Sequence, residues 1–215
     1  MVRNLKKSWD DVTIGMWQEL SLIDSQSEIT KFIEQISILT DADPEEIRKM
    51  SMTDFSKFRT EVAFIETSPT PDVKIKFEID GKKYGMIPQL DFITAGEWID
   101  AETWKDDSVA NIHLYAALLY RPITKEDGEV YEIEPHKPGG FMERSELFRD
   151  KLSITIIHGA VLFFSSIAID FTRILADYSA SQMKDIVKTT KTTQTQTATK
   201  KRKPKRFKSS GESMI

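Results

Sequence analysis

The chain of 215 residues contains no cysteine. That excludes disulfides, thiolate metal sites and cysteine nucleophiles, and it fits a reducing compartment. Histidine is scarce too. His113, His136 and His158 stand 23 and 22 residues apart, without the i, i+4 pairing of helical metal ligands. Phosphate-loop, dinucleotide, nucleophile-elbow and zinc-protease motifs are missing. The N-terminal MVRNLKKSWDD has no apolar run behind its basic residues, so no secretory signal is expected. One long uncharged run exists, the eighteen residues from Leu152 to Ile169. It is at the threshold length for a membrane span but contains His158, Gly159 and four Ser/Thr. The alternative, a buried helix continuing amphipathically through Phe171, Ile174, Leu175 and Tyr178, needs no special environment and is the expectation here.

Charge is distributed unevenly. From Lys184 onward, ten basic residues face two acidic ones, a net +8, while the rest carries 20 basic against 32 acidic, a net −12. The tail is nearly all Thr, Gln, Lys, Arg and Ser, too polar to offset its ordering entropy, and is expected to be disordered. Its densest run, Lys200, Lys201, Arg202, Lys203, Lys205 and Arg206, could bind a polyanion through counterion release or dock on an acidic client protein. With no aromatic near it beyond Phe207, it offers no stacking platform for single strands.

The remainder reads as an α+β chain, mainly helical. Expected units are 1–66 (helical), 67–72 (linker), 73–183 (a β-hairpin plus a helical unit ending in a long buried helix) and 184–215 (the tail). Ser25 to Glu28 reads as a capping box. Behind it Ile29, Phe32, Ile33, Ile36 and Leu39 form an amphipathic stripe. Asp43-Pro44-Glu45-Glu46 opens another helix, with Asp as N-cap and Pro at the first helical position. A helix carrying Phe55 and Phe58 starts at Ser51 or Thr53. Val73 to Ile79 alternates as a half-buried strand, and Asp80-Gly81 calls for a type I′ turn into a return strand from Lys83 to Ile87. Gly85, within that strand, suggests a bulge or a close backbone approach. Thr94 to Glu97 is a second capping box, and Ser108 is expected to cap a helix ending at Arg121-Pro122. Residues 124–141 read as a polar loop. The acidic pairs Asp10-Asp11, Glu45-Glu46 and Asp106-Asp107 fall at helix starts, where the macrodipole favours them. His113 and His158 fit satisfied core positions.

Two segments repeat. Trp9 to Trp17 and Leu90 to Trp98 share Asp-x-(Val/Ile)-Thr-x-Gly-x-Trp at an offset of 81. The helices behind them, Ile29 to Leu39 and Val109 to Leu119, correspond at an offset of 80. In each copy Thr would cap a helix, Gly would admit a neighbouring backbone and Trp would anchor the helix to the core.

The order of these features resembles the tail assembly chaperones of long-tailed bacteriophages. The resemblance rests on Ser8-Trp-Asp-Asp-Val-Thr-Ile-Gly15, Ile36-Ser-Ile-Leu-Thr40, Pro44-Glu-Glu-Ile47 and Met52-Thr-Asp-Phe55. It continues through Gly81-Lys-Lys-Tyr-Gly85, Pro88, Asp91-Phe-Ile-Thr-Ala-Gly-Glu97 and Leu118-Leu-Tyr-Arg-Pro-Ile123, so that it spans roughly residues 8–178. It implies a non-enzymatic protein without cofactors that works in the host bacterial cytoplasm. Such proteins keep the helical tape-measure protein in solution and recruit tail-tube protein. A longer product made by ribosomal frameshifting is frequent among them. A client of that kind needs an aromatic-lined groove, for which Phe55, Phe58, Trp98, Trp104 and Tyr115 are candidates, though each also fits a core position. A structural virion component and a nucleic-acid-binding accessory protein are the alternative readings.

Overall fold

A computed structural model describes residues 4–88, 93–137 and 140–162. All of these belong to one compact unit, Met1–Ser165. The expected basic tail, the run Lys200 to Arg206 and the part of the apolar run beyond residue 162 lie outside the described residues.

Helices α1 (Ile14–Ser21) and α2 (Glu28–Thr40) come first, followed by α3 (Pro44–Arg48) and α4 (Met52–Glu61). Their starts follow local chemistry. Thr13 accepts from the Met16 N–H, Asp43 from Glu45 and Ser51 from Asp54, each filling an orphan donor of a first turn. The α2 cap is Ser27, two residues beyond the expected one. Ser25 instead donates its hydroxyl to Glu34 at 2.7 Å.

Four strands then form one antiparallel sheet in the order β1-β2-β3-β4: Lys76–Ile79, Lys82–Met86, Tyr120–Asp127 and Val130–Ile133. The expected hairpin is present, with Ile79 opposite Lys82 and both Asp80 (φ 52°) and Gly81 (φ 75°) in the positive region a type I′ turn demands. Its first strand is shorter than the alternation suggested, and Val73 and Ile75 are exposed. The larger correction concerns 124–133, which apart from the turn at 128–129 are not loop. They complete β3 and supply β4, so the sheet has four strands where one hairpin was expected.

Between the hairpins run α5 (Ala95–Thr103) and α6 (Ser108–Leu119). The Thr94–Glu97 capping box is complete, the Thr94 hydroxyl accepting from the Glu97 N–H and the Glu97 carboxylate from the Thr94 N–H. Asp107, rather than Ser108, caps α6. The last described elements are α7 (Gly140–Lys151) and a helical stretch from 154 to 162. These are not one long helix. At the break the Ile14 N–H donates to the Leu152 carbonyl and the Ile154 N–H to Val12, a short bridge between Thr13 and Ser153.

The main core collects Val12 and Ile14, Tyr84 and Met86, Ala116, Ala117, Leu119 and Tyr120, Phe148, and Ile154, Ile156, Ile157 and Ala160. Phe77, Tyr84, Tyr120 and Phe148 meet there as one aromatic cluster with ring centroids 4.9–5.6 Å apart. The apolar run is thus buried as far as Ala160, and no described helix is long and apolar enough to cross a membrane.

The repeat persists in its caps but not in its glycines. A Cβ on Gly15 would stand 3.1 Å from the Arg149 carbonyl oxygen, whereas on Gly96 it would meet nothing nearer than 3.9 Å. Gly85 is neither a bulge nor a backbone contact, since the register irregularity falls at Ile123–Lys125. The ring of Tyr131 covers Gly85, so an added Cβ would lie 2.4 Å from its Cε2. The Tyr131 hydroxyl donates to the Met86 carbonyl at 2.6 Å, which holds the ring in place. Gly85→Ala is therefore expected to cost about 1–3 kcal/mol, the usual range for overpacking, measured by urea denaturation. Gly85→Ala in a Tyr131→Ala background should cost less; an equal cost would rule out the ring as the cause.

Candidate functional site

The five aromatic candidates fall into two groups. Phe55 and Phe58 lie on α4 and pack on a small second cluster of Ile33, Ile36 and Ile47. Phe55 meets Phe32 edge-on at 5.0 Å. Beside them residues of α2, α3 and α4 line an open groove of about 610 Å³. Ile29 and Phe32 form one wall and Met52 and Phe55 the other, with Ile33 and Ile47 among the lining residues. The amphipathic stripe expected on α2 is only partly core. Ile33, Ile36 and Leu39 are buried, but Ile29, one turn earlier, is exposed at the groove mouth, as Met52 is opposite. Lys31, Arg48 and Arg59 share the rim with Glu28 and Glu66, so both signs of charge border an apolar floor. A wider cleft of about 890 Å³ lies among Thr13, Gly15, Thr40, Asp41 and Arg149, where polar groups dominate.

Trp104 and Tyr115 meet elsewhere. Trp104 stands edge-on to Tyr115 at 5.6 Å and beside Phe141 at the same distance. The Tyr115 hydroxyl donates to the Ala101 carbonyl at 2.8 Å, tying α6 to α5, and burial raises its pKa. Trp98, on α5, is 41% exposed. These residues brace α5 and do not extend the groove at α4.

A polar centre that the sequence did not announce lies beneath α5. The side chains of Glu97, Arg121 and His136 are 0%, 7% and 9% exposed. One carboxylate oxygen of Glu97 accepts from the Thr94 N–H at 2.6 Å, and the other pairs with Arg121. The guanidinium also reaches the Leu118 and Glu134 carbonyls, both at 3.4 Å. Burial, with the neighbouring Arg144, lowers Arg121 to about 10, so it remains charged near neutrality. Arg144 itself donates twice to the Ala117 carbonyl, at 3.2 and 2.9 Å. Glu97 was legible as a cap; the partner 24 residues away was not.

The remaining histidines are held as expected. His113 lies 3.2 Å from the Gln18 amide, and burial lowers its pKa. His158 lies 3.1 Å from the Pro69 carbonyl of the 67–72 segment. Among the described residues, no three His, Asp or Glu side chains could hold a metal ion together.

No family model, curated protein or solved structure matches this chain.

Proposed function

We propose that the protein is a non-enzymatic binding protein that shields apolar helical segments, acting as a phage tail assembly chaperone for the tape-measure protein. The observation that supports this is the groove between α2 and α4, with its apolar floor and the exposed Ile29 and Met52 at its mouth. Such a groove suits the apolar stripe of an amphipathic helix, whose i, i+3/i+4 and i+7 side chains anchor it. The mixed rim would accept the polar flanks of that helix without demanding one sign of charge. The basic run from Lys200 to Arg206 would reach acidic client segments, and tail-tube protein would join the complex during assembly in the host cytoplasm.

Co-expression with a tape-measure protein tests this. The client's soluble fraction should rise several-fold and the two chains should co-purify. Ile29→Asp/Met52→Asp should abolish the gain while leaving thermal stability nearly unchanged, because both side chains are exposed. Wild-type protein that gives neither complex nor solubility gain would sink the reading. Fixed stoichiometry in purified particles would replace it with a virion component. Salt-sensitive DNA binding lost on removing 188–215 would replace it with a nucleic-acid-binding protein.

A further inference from the structure

The sheet ends in two open edges. In the order β1-β2-β3-β4, β1 and β4 each have one neighbour, and among the described residues no further strand pairs with either. An open edge presents a row of unpaired N–H and C=O groups and invites another strand. In β1 that row can be assigned residue by residue. The Met86 N–H donates to the Ile75 carbonyl at 2.8 Å, and main-chain bonding alternates along an antiparallel pair. Ile75, Phe77 and Ile79 therefore bond inward to β2, and Lys76 and Glu78 turn their N–H and C=O groups outward. The Tyr120 hydroxyl takes the Lys74 carbonyl and closes the row at one end, and the Asp80-Gly81 turn closes it at the other.

The side chains sort the same way. Ile75, Phe77 and Ile79 share the face on which Phe77 joins the core, with Ile75 56% exposed. Lys76 and Glu78 share the opposite face. Lysine often guards an edge by projecting past it. Lys76 does not, because its ammonium lies back over the sheet, 3.0 Å from Glu126 and above the Tyr131 ring. Glu78 is exposed and makes no ion pair among the described residues.

We propose that β1 is the interface for a second copy of this chain, the two β1 strands pairing antiparallel about a two-fold axis at Phe77 so that the sheets become one. In that register Lys76 lies opposite the second copy's Glu78, and Glu78 opposite its Lys76. Each pair exchanges main-chain hydrogen bonds and matches opposite charges. On the other face Phe77 meets Phe77 and the exposed Ile75 meets Ile79. The next register in either direction sets Lys76 against Lys76 or Glu78 against Glu78, which like charges oppose. Edge β4 offers no such match. Residues 129–134 carry Glu129, Glu132 and Glu134 and no basic residue, so two copies repel there. Pairing β1 with β4 also fails. Tyr131 shares the face of Lys76, so Glu132 falls on the opposite face and would stand among Ile75, Phe77 and Ile79. The interface is separate from the α2–α4 groove and does not depend on what that groove binds.

Sedimentation velocity on the full chain from about 1 to about 200 μM, a range that brackets weak association, should show the mass doubling and then levelling off. Hydrogen exchange by mass spectrometry over the same range locates the contact. Peptides covering 75–79 should gain about fivefold in protection once the free chain exceeds the dissociation constant about fourfold, while 129–134 should not change. Glu78→Lys should weaken dimerisation about tenfold or more by placing like charges opposite each other in both pairs. Mixing it with Lys76→Glu should restore association, because the two edges then carry opposite signs throughout. A chain monomeric at every concentration, a dimer without protection at 75–79, or mass that keeps growing with protection at both edges overturns the proposal. So does undiminished dimerisation in Glu78→Lys, or no recovery on mixing. Should either variant fail to fold, the wild-type mass and exchange decide.

Discussion

Replacing Arg121 by leucine is expected to lower the unfolding free energy by about 3–5 kcal/mol, the range for breaking a buried ion pair from one side. Glu97 is fully buried and would keep one N–H donor, from Thr94, at a carboxylate built for two partners. Water cannot replace the guanidinium, so the carboxylate must stay uncompensated or take up a proton. Arg121→Lys should recover little of the loss, because an ammonium cannot reach Glu97 while also serving the Leu118 and Glu134 carbonyls. The pair as a whole is a different matter. Removing both charges, as in Glu97→Gln/Arg121→Leu, should cost clearly less than Arg121→Leu alone, since paired buried charges contribute little net stability. Urea unfolding of the two singles and the double closes a thermodynamic cycle. A single-variant loss below about 1 kcal/mol, in the range of surface ion pairs, would show that solvent reaches the site and that the pair is not what holds α5.

The same residues show where sequence reading succeeds and stops. Thr94 and Glu97 were legible because a capping box is local chemistry, complete within four residues. That Glu97 is also buried against Arg121 depends on how α5 meets β3, which no local pattern encodes. The hairpins make a similar contrast. Asp80-Gly81 lay between alternating apolar residues and read at once as a turn. Asp127-Gly128 is the same pair, but its flanking strands put mostly polar side chains into solvent, so alternation was too weak to separate strand from loop. Gly128 has φ 60° and begins a two-residue loop between the paired Asp127 and Val130, as the first position of a type II′ turn requires. Gly85 illustrates the opposite case, a residue whose oddness was visible in the sequence while its cause, the Tyr131 ring, lay 46 positions away. For the groove, the α2 stripe was legible, but periodicity could not say that Ile29 stands past the edge of the core. Phe55 and Trp104 were read as one candidate set, and contact geometry places them in two.

Phe148→Ala is the second large loss expected, about 3–5 kcal/mol, for a reason the helix pattern of α7 does not display. Half of that helix is charged, and Phe148 and Ser145 are its buried residues. Phe148 nevertheless fills the centre of the core, fully buried, with its ring 4.9 Å from Tyr84 and 5.6 Å from Phe77. The cost of a truncation depends on whether neighbours can move into the space. Here they are constrained. Tyr84 and Phe77 are paired opposite each other in the sheet, and Tyr120, packed on Phe77, is tied by its hydroxyl to the Lys74 carbonyl at 2.8 Å. The cavity should therefore stay largely open, and the loss should sit near the upper end of the range. At about 2–4 °C per kcal/mol for a chain of this size, Tm should fall by about 10–20 °C. Phe148→Leu, which leaves a smaller void, should fall by less than half as much. Calorimetry on the three proteins checks both the size and the order. A drop of only a few degrees for Phe148→Ala would mean that the sheet collapses onto α7, and the core would be more deformable than its aromatic cluster implies.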